Sequence, residues 1–176
     1  MNKEYINFNE VNDYDLLVGM GLFYDLEKMP DGHYSDATGK TNFNGKTIER
    51  NIELKHRNQV LMPSLLEISG CTHNGKPYKD TTMMIEEHKY IHMLEGKHHQ
   101  GQEPLYINFL QNGYVVIFNL RRMPKQNEKK KMSIYSKGLE KMENEDRLFL
   151  NLEYAAIYTI DGKLIRRANM DIINGK

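Results

Sequence analysis

Short apolar stretches along the chain are separated by turn pairs, and the pairs are of one kind. Asn44-Gly45, Asn112-Gly113 and Asp161-Gly162 each stand between two strand-like segments. Such pairs favour tight hairpins, because both central positions need φ > 0. The first joins residues 34–40 to 48–57. The second joins 105–110 to 114–120, both apolar on each face, as in a buried sheet. The third joins 148–158 to 163–173, a hairpin at the C-terminus. Two stretches carry helical spacing instead. In 13–28, Leu16, Met20 and Phe23, with Tyr14, Leu17, Val18 and Leu22, form a broad apolar face. Asp13 can cap that helix, and Pro30-Asp31-Gly32 ends it. In 81–96, Met84, Ile91 and Leu94, with Met83 and Tyr90, make a stripe between a threonine cap and Gly96.

The remaining segments read more simply. Residues 60–68 are apolar with Pro63 inside, which suits a strand end or an edge. Residues 71–80 read as a polar loop with a further Asn-Gly, 121–131 as a basic loop, and 137–146 as one or two helical turns. No repeat or linker interrupts the chain, so 1–176 is expected to form one α/β domain. About five or six strands and two principal helices would compose it.

The first hairpin carries the chemistry. With Asn44 and Gly45 as the turn, Phe43 pairs with Lys46, and counting back sets Asp36 opposite Glu53. Side chains alternate along a strand, so Glu53 and Lys55 share one face with Asp36, and Ile52 and Leu54 take the other. Opposed like charges destabilise a sheet unless a cation lies between them. A divalent metal resolves that conflict, and Mg²⁺ is commonly held by one or two carboxylates. A lysine beside it can position water and stabilise developing negative charge. These parts suit metal-assisted phosphodiester hydrolysis.

Asp36, seventeen residues before Glu53-Leu54-Lys55 with Ile52 and Leu54 flanking, resembles the PD-(D/E)xK nuclease signature. The likeness is to phage and Holliday-junction-resolvase-like members and runs over about residues 8–120. Ser35 stands where the signature has proline. The resemblance implies a restriction-endonuclease-like fold, a mixed central sheet flanked by helices, with the C-terminal hairpin as an addition. It implies a Mg²⁺- or Mn²⁺-dependent endodeoxyribonuclease acting on DNA, with room for a homodimer. Asp36 and Glu53 would be metal ligands and Lys55 the catalytic lysine. Glu10, near the start of the first helix, would complete the site, with Glu27 as the alternative. The helix over 81–96 would send His88 or Lys89 towards it.

Other readings of the same residues remain. Glu-x-Lys occurs four times, at Glu53, Glu87, Glu95 and Glu128, so the triplet alone carries little. The hairpin face can be an ordinary charged surface, or the fold can serve as a nucleic-acid-binding or assembly module without catalysis. His88 and His92, four residues apart, with His98 and His99 following, offer a zinc-type alternative, although no HExxH is present.

Composition narrows the setting. Of 176 residues, 39% are apolar and 27% charged, and formal net charge is zero. A DNA binder of zero net charge must concentrate its cations on one side. Arg121, Arg122, Lys129, Lys130 and Lys131 are the candidates for DNA contact near Asp36. One cysteine, Cys71, excludes an intrachain disulfide and fits a reducing cytoplasm. No apolar run approaches the ~20 residues of a membrane span. The N-terminal residues lack the apolar core of a signal peptide. A cytoplasmic protein with no membrane contact is the expectation.

Overall fold

The computed structural model describes residues 5–73, 75–95, 101–126, 129–136 and 141–169. In chain order the elements are α1 (Asp13–Gly19), β1 (Tyr24–Lys28), β2 (Ala37–Phe43), β3 (Lys46–Arg57), β4 (Val60–Met62), β5 (Glu67–His73), β6 (Lys76–Asp80) and β7 (Thr82–Glu86). Then follow α2 (Glu87–Glu95), β8 (Glu103–Leu110), β9 (Tyr114–Asn119), β10 (Lys129–Ser136), β11 (Lys141–Asn151), β12 (Ala155–Thr159) and β13 (Leu164–Arg166).

A seven-stranded sheet runs β1-β2-β3-β8-β9-β12-β13. Its strands pair antiparallel except β3 and β8, which are parallel from Arg50↔Glu103 to Arg57↔Leu110. A parallel pair needs a long crossover. Here β4 to β7 and α2 supply it. Two three-stranded sheets, β10-β11-β7 and β4-β5-β6, complete the structure.

Alternation divides β3 and β8 between two cores. Ile52, Leu54, Leu105, Ile107 and Phe109 pack with Leu17 and Met20 of the α1 segment. Tyr106, Leu110, Val116 and Phe118 pack with Met83, Ile85, Tyr90, Met93, Leu148 and Leu150. One helix therefore lies on each face of a mixed sheet. A mixed α/β sheet flanked by helices is what the sequence led us to expect, but the main sheet has seven strands where five or six were expected. Among the described residues no helix is long and apolar enough to cross a membrane.

Several elements differ from their sequence reading. The first helix ends at Gly19 rather than running to residue 28. Gly21 takes φ +64, and the chain continues as the edge strand β1. Its cap is Asn12, whose side chain accepts from the Tyr14 amide, and not Asp13. The second helix begins at Glu87. Thr82–Glu86 pairs with β11 instead, from Glu86↔Arg147 to Asn151↔Thr82. Alternating buried Met83 and Ile85 fit that strand as well as a helical stripe. Its partner lies some sixty residues away, so local pattern cannot reveal the pairing.

The polar loop over 71–80 is mostly hairpin, with Cys71↔Tyr78 and His73↔Lys76 paired. The basic loop ends in a strand: Lys129 opens β10, paired with Leu148 of β11. That pairing also replaces the helical turns expected within 137–146, at least over residues 141–146. The C-terminal hairpin is shorter than expected, a 3-10 turn at Leu152–Tyr154 preceding β12 and β13. Its turn is pinned close to α1: a Cβ on Gly162 would lie 2.1 Å from the Met20 carbonyl oxygen. Gly96, His98, His99 and Ile173 lie outside the described residues.

Candidate active site

The site begins at the Asn44-Gly45 turn. Both residues have positive φ, 49° and 75°. The register follows as expected, from Phe43↔Lys46 to Ala37↔Ile52. One step beyond β2, the Asp36 amide donates to the Ile52 carbonyl at 2.9 Å. The Asp36 Oδ2 accepts from the Leu54 amide at 2.7 Å. A carboxylate thus continues the ladder where strand pairing stops, and it rests beside Glu53.

Glu53 is 1% exposed. By alternation it shares its face with Lys55 and stands opposite Tyr106 in the parallel register. Burial, and then the neighbouring Asp36 charge, push its carboxyl up to about 7; Lys89 and Lys55 oppose that rise. Lys55 Nζ lies 3.8 Å from Glu53 Oε1 and 3.9 Å from Glu86 Oε1. Lys55 thus stands at Glu53, and the Asp36 charge reaches the same carboxyl.

The structure adds cations and an acid that the hairpin alone does not contain. Lys89, from the first turn of α2, donates directly to Glu53 Oε1. His88, the alternative from the same helix, is exposed. Burial works against the Lys89 charge, but the Glu53 carboxylate outweighs it and the ammonium pKa is raised. Glu86 ends β7 and pairs with Arg147 of β11 at 2.9 Å. Burial works against the Glu86 charge too, and Lys55 and Arg147 outweigh it, so its pKa is lowered. The result is a chain of alternating charge, Lys89–Glu53–Lys55–Glu86–Arg147, between sheet and helix.

Packing fixes where α2 sits. Arg57 Nη2 donates to the Met84 carbonyl at 2.7 Å and to the Tyr106 hydroxyl at 2.6 Å, tying β7 to β3 and β8. The Tyr34 ring stacks on His92 with centroids 4.3 Å apart, joining the segment before Asp36 to the helix. His92 is thus engaged with an aromatic ring. Among the described residues no three His, Cys, Asp or Glu side chains converge as a metal site.

On the α1 side, Asp36 opens onto a cleft of about 410 Å³, lined also by Asp13, His33, Ser35, Leu54 and His56. His56 Nδ1 and Asp13 Oδ1 are 2.9 Å apart, and Phe8 stacks on the imidazole at 4.8 Å. Glu10 is exposed in the turn before α1, its amide bonded to the Asn7 carbonyl, and it does not line this cleft. Asp13 is the acid of that segment which does. Glu27 is exposed on the edge strand.

The basic candidates separate. Arg122 pairs with Glu103 at 2.9 Å, and Glu103 pairs with Arg50 at 2.6 Å. Arg50 shares the Ile52 face by alternation, so Arg122 belongs to the side of the sheet away from Glu53. Arg121 is exposed in the turn after β9. Lys129 bonds Glu87 at 3.2 Å and Asp146 at 3.4 Å, which places it beside the first turn of α2. Lys130 lies 5.1 Å from the Phe149 ring centroid. Lys131 is exposed on β10. Arg122 is therefore not on the Asp36 side, where it was expected with the other four.

Comparison with known proteins gives a likeness in structure alone. Neither a protein-family model nor a curated protein matches the chain. A solved structure of Hjc from Archaeoglobus fulgidus, described as a Holliday junction resolvase from an archaeal hyperthermophile, aligns with a TM-score of 0.45 and 12% identity. The alignment covers 84% of this chain and 96% of that one.

Proposed function

We propose that this chain is a metal-dependent nuclease that hydrolyses DNA phosphodiesters. The observation that carries the reading is Glu53, a buried carboxylate beside the Asp36 carboxylate on a strand that also presents Lys55. The donor set suits a hard divalent cation: two carboxylates meet, and their repulsion is relieved by positive charge. Asp36 and Glu53 would hold Mg²⁺ or Mn²⁺. When bound, such an ion activates water and neutralises charge on a phosphoryl oxygen. Lys55, whose side chain is 34% exposed, is the cation placed to meet a phosphate oxygen at the surface. Lys129, Lys130 and Lys131 would contact the DNA backbone from β10, and Arg121 from the turn after β9, whereas Arg122 is tied to Glu103. Glu10, an exposed acid preceding the cleft, would act only if it turned inward.

The test is nicking of supercoiled and branched DNA across a Mg²⁺ and Mn²⁺ titration, with Asp36→Asn and Lys55→Ala beside wild type. Metal-dependent cleavage lost in both variants supports the reading. Equal cleavage by wild type and Lys55→Ala rejects it. A second reading, a nucleic-acid-binding module without catalysis, is favoured by the two lysines already at Glu53 Oε1. Salt-sensitive DNA binding with no cleavage under any metal would select it.

A further inference from the structure

Glu53 is held by a cation from outside its own hairpin. Lys55, two residues on, stands 3.8 Å from Oε1, while Lys89 of α2 is in direct hydrogen-bond contact with the same oxygen. A buried carboxylate beside a second acid needs such a partner, because an uncompensated buried charge is strongly destabilising. Lys89 is brought there by tertiary contacts: Arg57 on the Met84 carbonyl, the Tyr34–His92 stack, and Lys129 on Glu87. Its side chain is nevertheless 29% exposed, so the flexible stem has a route to solvent.

A divalent ion between Asp36 and Glu53 would compete with that ammonium for Glu53 Oε1, and two cations at one oxygen repel. We propose that Lys89 is the resident counter-cation of Glu53, displaced when a divalent ion binds, and that this helix-borne charge sets the metal concentration at which the site loads. The proposal rests on the metal-binding reading above. Lys89 acts through Glu53 and is a positioning residue. It stabilises the metal-free protein and raises the ion concentration needed to fill the site.

The test is Mn²⁺ binding by calorimetry, without DNA, at pH 8.5, where protons compete least for Glu53. Wild type, Lys89→Met, Lys89→Arg and Asp36→Asn are compared. Lys89→Met should bind Mn²⁺ roughly tenfold more tightly than wild type. Lys89→Arg keeps the charge and should bind no more tightly than wild type. Metal-free Lys89→Met should melt lower than wild type and recover more on adding Mn²⁺. If it does not fold without metal, Lys89→Gln, which retains a donor without the charge, carries the same expectation. Mn²⁺ binding that is weakened by Asp36→Asn but unchanged or weaker in Lys89→Met and Lys89→Gln overturns this proposal and leaves the metal reading standing. No Mn²⁺ binding by any of the proteins overturns both.

Discussion

The Asp36 carboxylate accepts the Leu54 backbone N–H at 2.7 Å, and this bond holds one acid beside another. Asparagine can keep that bond through its side-chain oxygen while losing the charge. Asp36→Asn should therefore raise metal-free stability at pH 8, because Glu53 is relieved of its neighbour. Asp36→Ala loses the bond as well and should be less stable than Asp36→Asn by about 1 kcal/mol. Thermal unfolding in EDTA measures both. Metal-dependent cleavage should fall in each.

Glu53 gives the protein a pH signature. Its folded pKa of about 7 lies above the ordinary 4.5, so the folded state binds the proton more tightly. Its contribution is fully present below about pH 4.5 and is lost as pH rises through 7. The shift corresponds to roughly 3 kcal/mol. Glu53→Gln should remove that slope. Denaturant unfolding of the two metal-free proteins between pH 5 and pH 8 should show their stabilities separating, with the variant favoured at the upper end.

Lys55 is half-exposed, and its nearest acids are 3.8 and 3.9 Å away, distances at which ion pairs are loose. Lys55→Ala should leave the melting temperature within a few degrees of wild type. Cleavage should fall ~10²–10³-fold, the usual cost of removing one positioned electrostatic group. Parallel measurements of unfolding and nicking separate the two effects.

Arg147 serves the site from a distance. It bonds Glu86 at 2.9 Å and Glu145 at 2.6 Å with only 12% of its side chain exposed. Arg147→Met leaves Glu86 with Lys55 as its remaining salt-bridge partner among the described residues. Stability should drop by about 3 kcal/mol, the scale for breaking a buried pair from one side. Chemical denaturation measures that loss.

Lys130→Ala and Lys131→Ala should weaken DNA binding without sequence preference, and each should reduce the salt slope by about one. Lys129→Ala should also destabilise the fold slightly, because Lys129 bridges Glu87 and Asp146. Fluorescence anisotropy across a salt series distinguishes these cases from Arg122→Ala, whose side chain is tied to Glu103 on the other side of the sheet.

What local geometry controls could be read along the chain. Asn44-Gly45 set a turn, the turn set a register, and alternation then put Glu53 and Lys55 on one face, with Asp36 one step beyond the last strand pair. The apolar runs around Asn112-Gly113 likewise announced the buried pair β8 and β9, and two glycines did not suffice to show that the first helix stops at Gly19. Tertiary structure decided everything that depended on a distant partner. Thr82–Glu86 is a strand because β11 pairs with it, and Lys129 to Ser136 is a strand for the same reason. Those pairings bring Glu86 and Arg147 to Lys55, and the helix that follows β7 brings Lys89 to Glu53. A hairpin is closed by residues adjacent in sequence, whereas a buried charge takes its partner from whatever the packed core sets beside it.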